Sequence, residues 1–439
     1  MKATRRPASR LPFQGLSRHN WINLVLAVLL VFYSAQVVLD MAWGNLFGNL
    51  GVDFASFWSA GHIANHYGYG AVYDLKRMAQ IQQQLLPDRV ADASDLYIVP
   101  TPYLPVFLVP FQLLALLPPS LAAGVWIALN LVGSAMYLRG FAARITGRRL
   151  ESRLLLMLMI SAPVFLNLFL GQANLWLMIC VGEFILASMS GRVFQSGLWL
   201  AGLLLKPQTL ILVVPAVLMQ RRTKTTLGML VAGLLIIGGS WLLAGTDAII
   251  RLSQLWLGYA GGLPTNDPQL MMNWRMIGLH FEGLVGSDLA SIVVIVGMAG
   301  TAAGGLALWI RPLAVDHSQF VVASLGLFAA TAVVAWHSHV HMAMLLIPPL
   351  LILALQHGDP LRKIFEWWIL FPAALYVIRI ILASIIHIVG LGGGAYTLLD
   401  FLAGIGLFGM NLVLLGWTLR RLKPWQPAPP SAPAQLDPG

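Results

Sequence analysis

Few residues of this chain are able to do chemistry, and they stand far apart. Asp53 follows Gly51 by two positions in the stretch GVDFASFWSAGHIANHYGYGAVYD, residues 51–74, with Phe54, Phe57 and Trp58 beside it. Partial desolvation among aromatics at a membrane surface disfavours a charged carboxylate, so such an acid has a partner or a task. Further along come Tyr103 in YIVPTPYLP, Gln172 and Asn174 in LGQANLW, and Lys206 in LLLKPQ. Asn273 and Arg275 lie in NWR, and His337, His339 and His341 in WHSHVH. Together they supply an acid, several cations and hydrogen-bonding amides.

Each also has a plain structural reading. Asp53 would cap a short helix from Phe54 to about Tyr67 inside an interfacial aromatic belt. Lys206 would snorkel to the interface, Gln172 and Asn174 would cap two spans, and Arg275 would answer lipid headgroups. The histidines would form an interfacial turn. A metal held by all three requires an extended backbone, because on a helix His337 and His341 share a face that His339 does not.

The elements that must position these residues follow from composition. Of 439 residues, 58% are hydrophobic and 10% charged, with a mean hydropathy of +0.77. Repeated apolar runs near 20 residues then mean an all-α polytopic membrane protein rather than a soluble domain. The net charge of +10 gathers at span ends, the pattern of membrane orientation and not of nucleic-acid binding. Cys180, the only cysteine, excludes an intrachain disulfide and argues against a cysteine metal site. The first apolar run is of full length without a small-residue cleavage site, so it is expected to remain as a span.

Taken in order, a basic N-terminus (1–19) is expected in the cytoplasm, followed by a first span over Asn20–Leu39. The outer loop 40–96 holds six Asp and a surface helix over Leu75–Leu86. Pro100, Pro102, Pro105 and Pro110 in 97–119 predict an extended or kinked entry that turns regular near Val106 and does not fully cross. Arg139, Arg144, Arg148, Arg149 and Arg153 mark a cytoplasmic loop. Phe194–Gln220 reads as two short apolar pieces broken at Lys206-Pro207, a hairpin with both ends inside. A lysine at that depth costs roughly 2.5–3.5 kcal/mol on insertion scales unless a wet cavity or partner receives it. A long outer stretch, 245–287, follows the span at Thr226–Ala244. The total is about twelve crossings in a domain over 20–423, with a disordered tail over 424–439. This charge bookkeeping puts Asp53, Gln172, Asn174, Lys206, Asn273, Arg275 and the three histidines on one side, and one outer cavity is the economical explanation.

In that order, DFASFWSAG…YD, the proline-rich run with Tyr103 and Pro105, LGQANLW, LLLKPQ and WHSHVH resemble the polyprenol-phosphate-sugar-dependent glycosyltransferases of the GT-C superfamily. The likeness covers roughly 20–352 and is greatest to glycosyltransferase family 87, which includes α-mannosyltransferases of phosphatidylinositol-mannoside synthesis. The chain departs from that family at Leu104 and at Trp274-Arg275. The resemblance implies a bacterial plasma-membrane enzyme of cell-envelope glycolipid synthesis, with its active site facing outside and Asp53 as catalytic base. It implies a polyprenyl-phosphate sugar donor, a glycolipid or polysaccharide acceptor, membrane-lipid contacts and no nucleic acid. Lys206, Arg275 and His337, His339 or His341 would meet the donor phosphate. Gln172, Asn174 and Asn273 would bond sugar or acceptor hydroxyls, with Trp58 or Tyr103 stacking on a sugar face. No cofactor is expected, since a sugar on a lipid phosphate needs no metal clamp for a nucleotide diphosphate. Three other readings stand beside it. One is a transporter or flippase of a lipid-linked saccharide, another a non-catalytic scaffold, and the third an O-antigen-ligase-like transferase with a pyrophosphate donor.

Overall fold

A computed structural model describes residues 18–42, 46–85, 99–260, 268–311, 313, 318–356, 359–390 and 393–424. The expected N-terminus (all but its last two residues) and the tail beyond Pro424 lie outside the described residues. The described chain is helical, as the apolar runs require, because backbone polar groups in hydrocarbon must be satisfied within the segment.

The first span is α1 (Arg18–Ala42). The loop expected outside contains α2 (Val52–Tyr67) and α3 (Leu75–Leu85). The proline run stays extended to Leu104 and then forms α4 (Pro105–Leu114). At 1.5 Å per residue α4 is about 15 Å long, half of a bilayer core, so it does not cross on its own. A long span, α5 (Pro119–Thr146), follows. Helices α6 (Ser152–Met159) and α7 (Ala162–Leu170) form one broken span, bent by 57°, and α8 (Leu175–Met189) continues from the turn at Gly171.

The segment expected as a hairpin consists of α9 (Val193–Ala201), 3-10 turns on either side of Lys206, and α10 (Val213–Met219). Its start packs on the start of the helix that follows: Thr225 Oγ1 donates to Val193 O at 3.1 Å and lies 3.3 Å from Ser196 Oγ. Then comes α11 (Thr223–Ala260), broken at Gly245 with φ 78°. The break falls next to the expected end of the span at Ala244, and the stretch beyond it is again helical. After it come α12 (Trp274–Val285), α13 (Ser287–Ala307), α14 (Ser318–Val334) and α15 (Ile347–Gln356), with α16 (Asp359–Val389) and α17 (Gly393–Leu422) closing the bundle.

Six described helices are long and apolar enough to cross a membrane, or seven with the bent pair. Reaching the expected twelve would take shorter helices such as α8, α14 and α15, and α14 is buried on every side from Phe320 to Val334. Apolar side chains such as Val31, Leu235, Leu242 and Ile295 face outward, more than half exposed. Together these features make a multi-pass membrane protein.

Turns expected to share the cytoplasmic side touch one another. Gln220 Nε2 donates to Trp309 O and Arg311 O, Arg222 Nη2 to Leu313 O at 2.9 Å, and Arg362 pairs with Glu151 at 3.4 Å. At the opposite end α2 lies against α4 so closely that a Cβ on Gly61 would come within 2.1 Å of Phe111 O. Only glycine permits that approach.

Candidate active site

Asp53 owes its place to two backbone contacts. Gly51 N donates to Phe169 O at 2.7 Å. The next turn of chain, Gly171 at φ +73°, lies so near α2 that a Cβ there would be 2.5 Å from Phe54 Cβ. Both contacts press the start of α2 onto the α7–α8 turn. Asp53 falls in the first turn of α2, and the cap position is taken by Gly51 with no side-chain cap bond. The capping reading of Asp53 therefore fails. The carboxylate lines a cavity of about 420 Å³, with the helix N-terminus favouring its charge.

Gln172, held by the same turn, is the hub of the opposite wall. Its Oε1 accepts from Lys206 Nζ at 3.1 Å and from Tyr103 Oη at 3.4 Å. Lys206 Nζ also lies 3.4 Å from His341 Nε2, and each residue is 5% exposed. A charged lysine can only donate, so His341 presents a bare Nε2 and carries its proton on Nδ1. Lys206 reaches this place because the chain breaks there: Pro207 supplies no N–H, and Thr209 Oγ1 takes up Lys206 O at 2.7 Å. Asp53 and Lys206 line the same cavity.

The extended 99–104 segment is strapped down by four distant side chains. Gln82 bonds Val99 at both its N (2.9 Å) and O (2.8 Å). Ser56 Oγ lies 2.6 Å from Thr101 Oγ1, Trp256 Nε1 donates to Pro102 O at 2.8 Å, and Tyr73 Oη donates to Tyr103 O at 2.5 Å. The Tyr103 ring thus sits 5.0 Å from that of Phe57 and faces the cavity.

The chain is extended at His339 (φ −89°, ψ 164°), which pairs as an antiparallel bridge with Met271, and His341 stands in the 3-10 turn Val340–Leu346 that follows. Met272 N donates to Ser338 O at 2.8 Å, and Gln208 Nε2 to His337 O at 3.2 Å. His337, His339 and His341 all line the cavity. Burial, reinforced by His339, Lys206 and Arg275, holds the His337 imidazole well below its ordinary pKa. At neutral pH it is uncharged, so it can offer a phosphate a hydrogen bond but no positive charge. Among the described residues no three His, Cys, Asp or Glu side chains group so as to hold a metal ion.

The cavity therefore unites Asp53, Tyr103, Gln172, Lys206 and the three histidines. Four other sequence candidates point elsewhere. Trp58 gives its Nε1 to Leu117 O at 3.1 Å and stacks on His62. Asn174 is wholly buried, its backbone N bound to Asn167 Oδ1. Asn273 caps α12 by accepting from Met276 N at 3.1 Å. Its amide also donates to Ala335 O and Trp336 O at 2.8 and 3.0 Å, so it places the histidine loop. Arg275 lines a neighbouring cavity.

Ser56, Gln208, Trp256 and Trp336 line the main cavity and were not singled out from the sequence. Ser56 is one helical turn past Asp53, and Gln208 two residues past Lys206. Their spacing could have revealed both.

Fold and site define a multi-pass membrane protein with a cavity lined by both a carboxylate and a buried lysine. A family model described as glycosyltransferase family 87 matches residues 101–336, more than half of the chain. The chain belongs to glycosyltransferase family 87, and the protein is a glycosyltransferase. The matched region contains Tyr103, Gln172 and Lys206; the three histidines follow its end directly, and Asp53 lies well before its start. No curated protein and no solved structure matches the chain.

Proposed function

We propose that this glycosyltransferase moves a sugar from a polyprenyl-phosphate donor to a hydroxyl of a glycolipid or polysaccharide acceptor. The reaction takes place on the non-cytoplasmic side of a bacterial plasma membrane. The observation that carries this reading is that Asp53 and Lys206 share one cavity, with Gln172 and His341 bonded to the lysine.

Asp53 accepts the proton of the acceptor hydroxyl as its oxygen attacks the anomeric carbon. The bond from that carbon to the phosphate oxygen breaks, and its electron pair leaves with the lipid phosphate beside Lys206. Direct displacement inverts the anomeric centre. Proton removal by a positioned carboxylate contributes typically ~10²–10⁴-fold. A fixed cation in a water-poor site stabilises the developing charge on the leaving group by an effect of comparable size. One of His337, His339 and His341 adds a hydrogen bond to the phosphate, Gln172 holds the ammonium in place, and Tyr103 offers a ring to a sugar face. The lipid-phosphate leaving group calls for no metal. Mannose is the sugar suggested by the resemblance to the family's mannosyltransferases.

The test is sugar transfer by purified protein from synthetic polyprenyl-phosphate donors, wild type beside Asp53→Asn and Asp53→Ala. The expected outcome is transfer by wild type with an inverted product, and a loss of ~10²–10⁴-fold in both variants. Undiminished turnover in the variants would remove Asp53 as the base. No transfer from any donor, with movement of a lipid-linked saccharide across vesicles, would favour a transporter.

A further inference from the structure

Beside the main cavity lies a second, of about 340 Å³, lined by Arg275 and Glu282 of α12, Val294, Ile295 and Met298 of α13, and Trp336. Trp336 lines both cavities and forms the wall between them. The Arg275 guanidinium lies over its ring, 5.0 Å from the centroid. Among the described residues Arg275 makes no ion pair, and its buried Nη1 has no hydrogen-bond partner. Ile295 is 66% exposed on the outer flank of α13, as are Ile292 and Val296 at 55% and 64%. The cavity thus opens on the apolar surface that faces lipid.

We propose that this second cavity binds the phosphate of a membrane lipid, with Arg275 on the phosphate and the apolar chains along α13. An uncompensated guanidinium beside hydrocarbon is costly, and a lipid phosphate is the anion that the bilayer brings to that depth. The planar guanidinium fork matches phosphate oxygens two at a time, and the ring beneath it leaves its edge available. The apolar wall accounts for the rest of the occupant, since a free anion would gain nothing from Val294, Ile295 and Met298. Glu282, two helical turns beyond Arg275 on the same face of α12, disfavours a second negative charge and can accept from a headgroup hydroxyl or ammonium. The same chemistry describes a bulk phospholipid and a lipid-borne substrate waiting one ring away from the main cavity.

Native mass spectrometry of the full chain in mild detergent tests this. The probes are phosphatidylethanolamine, phosphatidylglycerol, a polyprenyl phosphate, diacylglycerol and inorganic phosphate. Phosphate-bearing lipids are expected to be retained, and diacylglycerol and inorganic phosphate lost. Arg275→Gln should cut retention about tenfold, the factor expected of one charge-assisted hydrogen bond. Ser291 also lines this cavity; Ser291→Phe, which fills the apolar side without replacing the guanidinium, should do the same, with the unfolding temperature unchanged in at least one of the two.

Displacement of bound phospholipid by polyprenyl phosphate would identify a lipid-borne substrate as occupant, and no displacement a bulk lipid. Equal retention of diacylglycerol, binding of inorganic phosphate alone, or full retention in both variants would overturn the proposal. Retention is read without sugar transfer, so it stands or falls apart from the catalytic reading.

Discussion

Two cations, in cavities that share Trp336, have opposite surroundings. Lys206 is almost wholly enclosed, bonded to Gln172 and His341, and opposed by the carboxylate of Asp53 across the main cavity. Arg275 is half-buried, rests on Trp336 and faces apolar side chains of α13. A point-charge ammonium held by two side chains is preorganised for charge that develops during a reaction. A planar guanidinium open to the lipid flank suits an anion that arrives already charged. Charge alone does not assign the role; the neighbours do.

The comparison is tested hardest at Lys206. Lys206→Met is expected to lower turnover by ~10²–10³-fold, with no fall in the unfolding temperature, because a buried ammonium costs desolvation that methionine does not. Kinetics and thermal unfolding in detergent check both halves, and undiminished turnover would make Lys206 structural.

A smaller effect is expected at the wall between the cavities. Asn273→Ala removes the cap of α12 and leaves Ala335 O and Trp336 O without their donor. The expected cost is about 1–3 kcal/mol of stability, read by thermal unfolding, with turnover and lipid retention falling together. Loss of only one of the two would show that the cavities do not share that support.

The smallest effect concerns pH. His337 feels both cations, and its folded pKa lies below the unfolded value near 6.5. As pH falls below that value the unfolded chain takes up the proton first, so stability is present above about pH 6.5 and declines below it. His337→Asn should flatten the decline in unfolding temperature on acidification. An unchanged slope would place the histidine in a wetter site than the geometry indicates.

Much of the cavity was legible because polar residues stand out in an apolar chain. Asp53, Gln172, Lys206 and the histidine triplet each interrupt a hydrophobic run, and hydrocarbon tolerates such interruptions only where something receives them. Trp58, Asn174, Asn273 and Arg275 were equally conspicuous, yet they face other partners. Asn174 is two residues from Gln172, but the chain turns at Gly171 and sends one amide into the cavity and the other into the protein. The direction of a side chain at a turn depends on what the turn packs against, here Phe54 of α2. Trp256 was hidden for a related reason: the helix resumes after Gly245, and no periodicity marked which residue would reach back to Pro102.

By itself the amino-acid sequence determined an all-α chain in a membrane, the extended proline segment and the break at Lys206-Pro207. Each is a local consequence of hydropathy or of a missing backbone donor. Only the tertiary structure decided which polar groups share a cavity. That choice rests on bonds such as Gln208 to His337 O, Trp256 to Pro102 O and Gly51 N to Phe169 O. Their backbone partners lie more than a hundred residues away and have no identity that a sequence pattern could reveal.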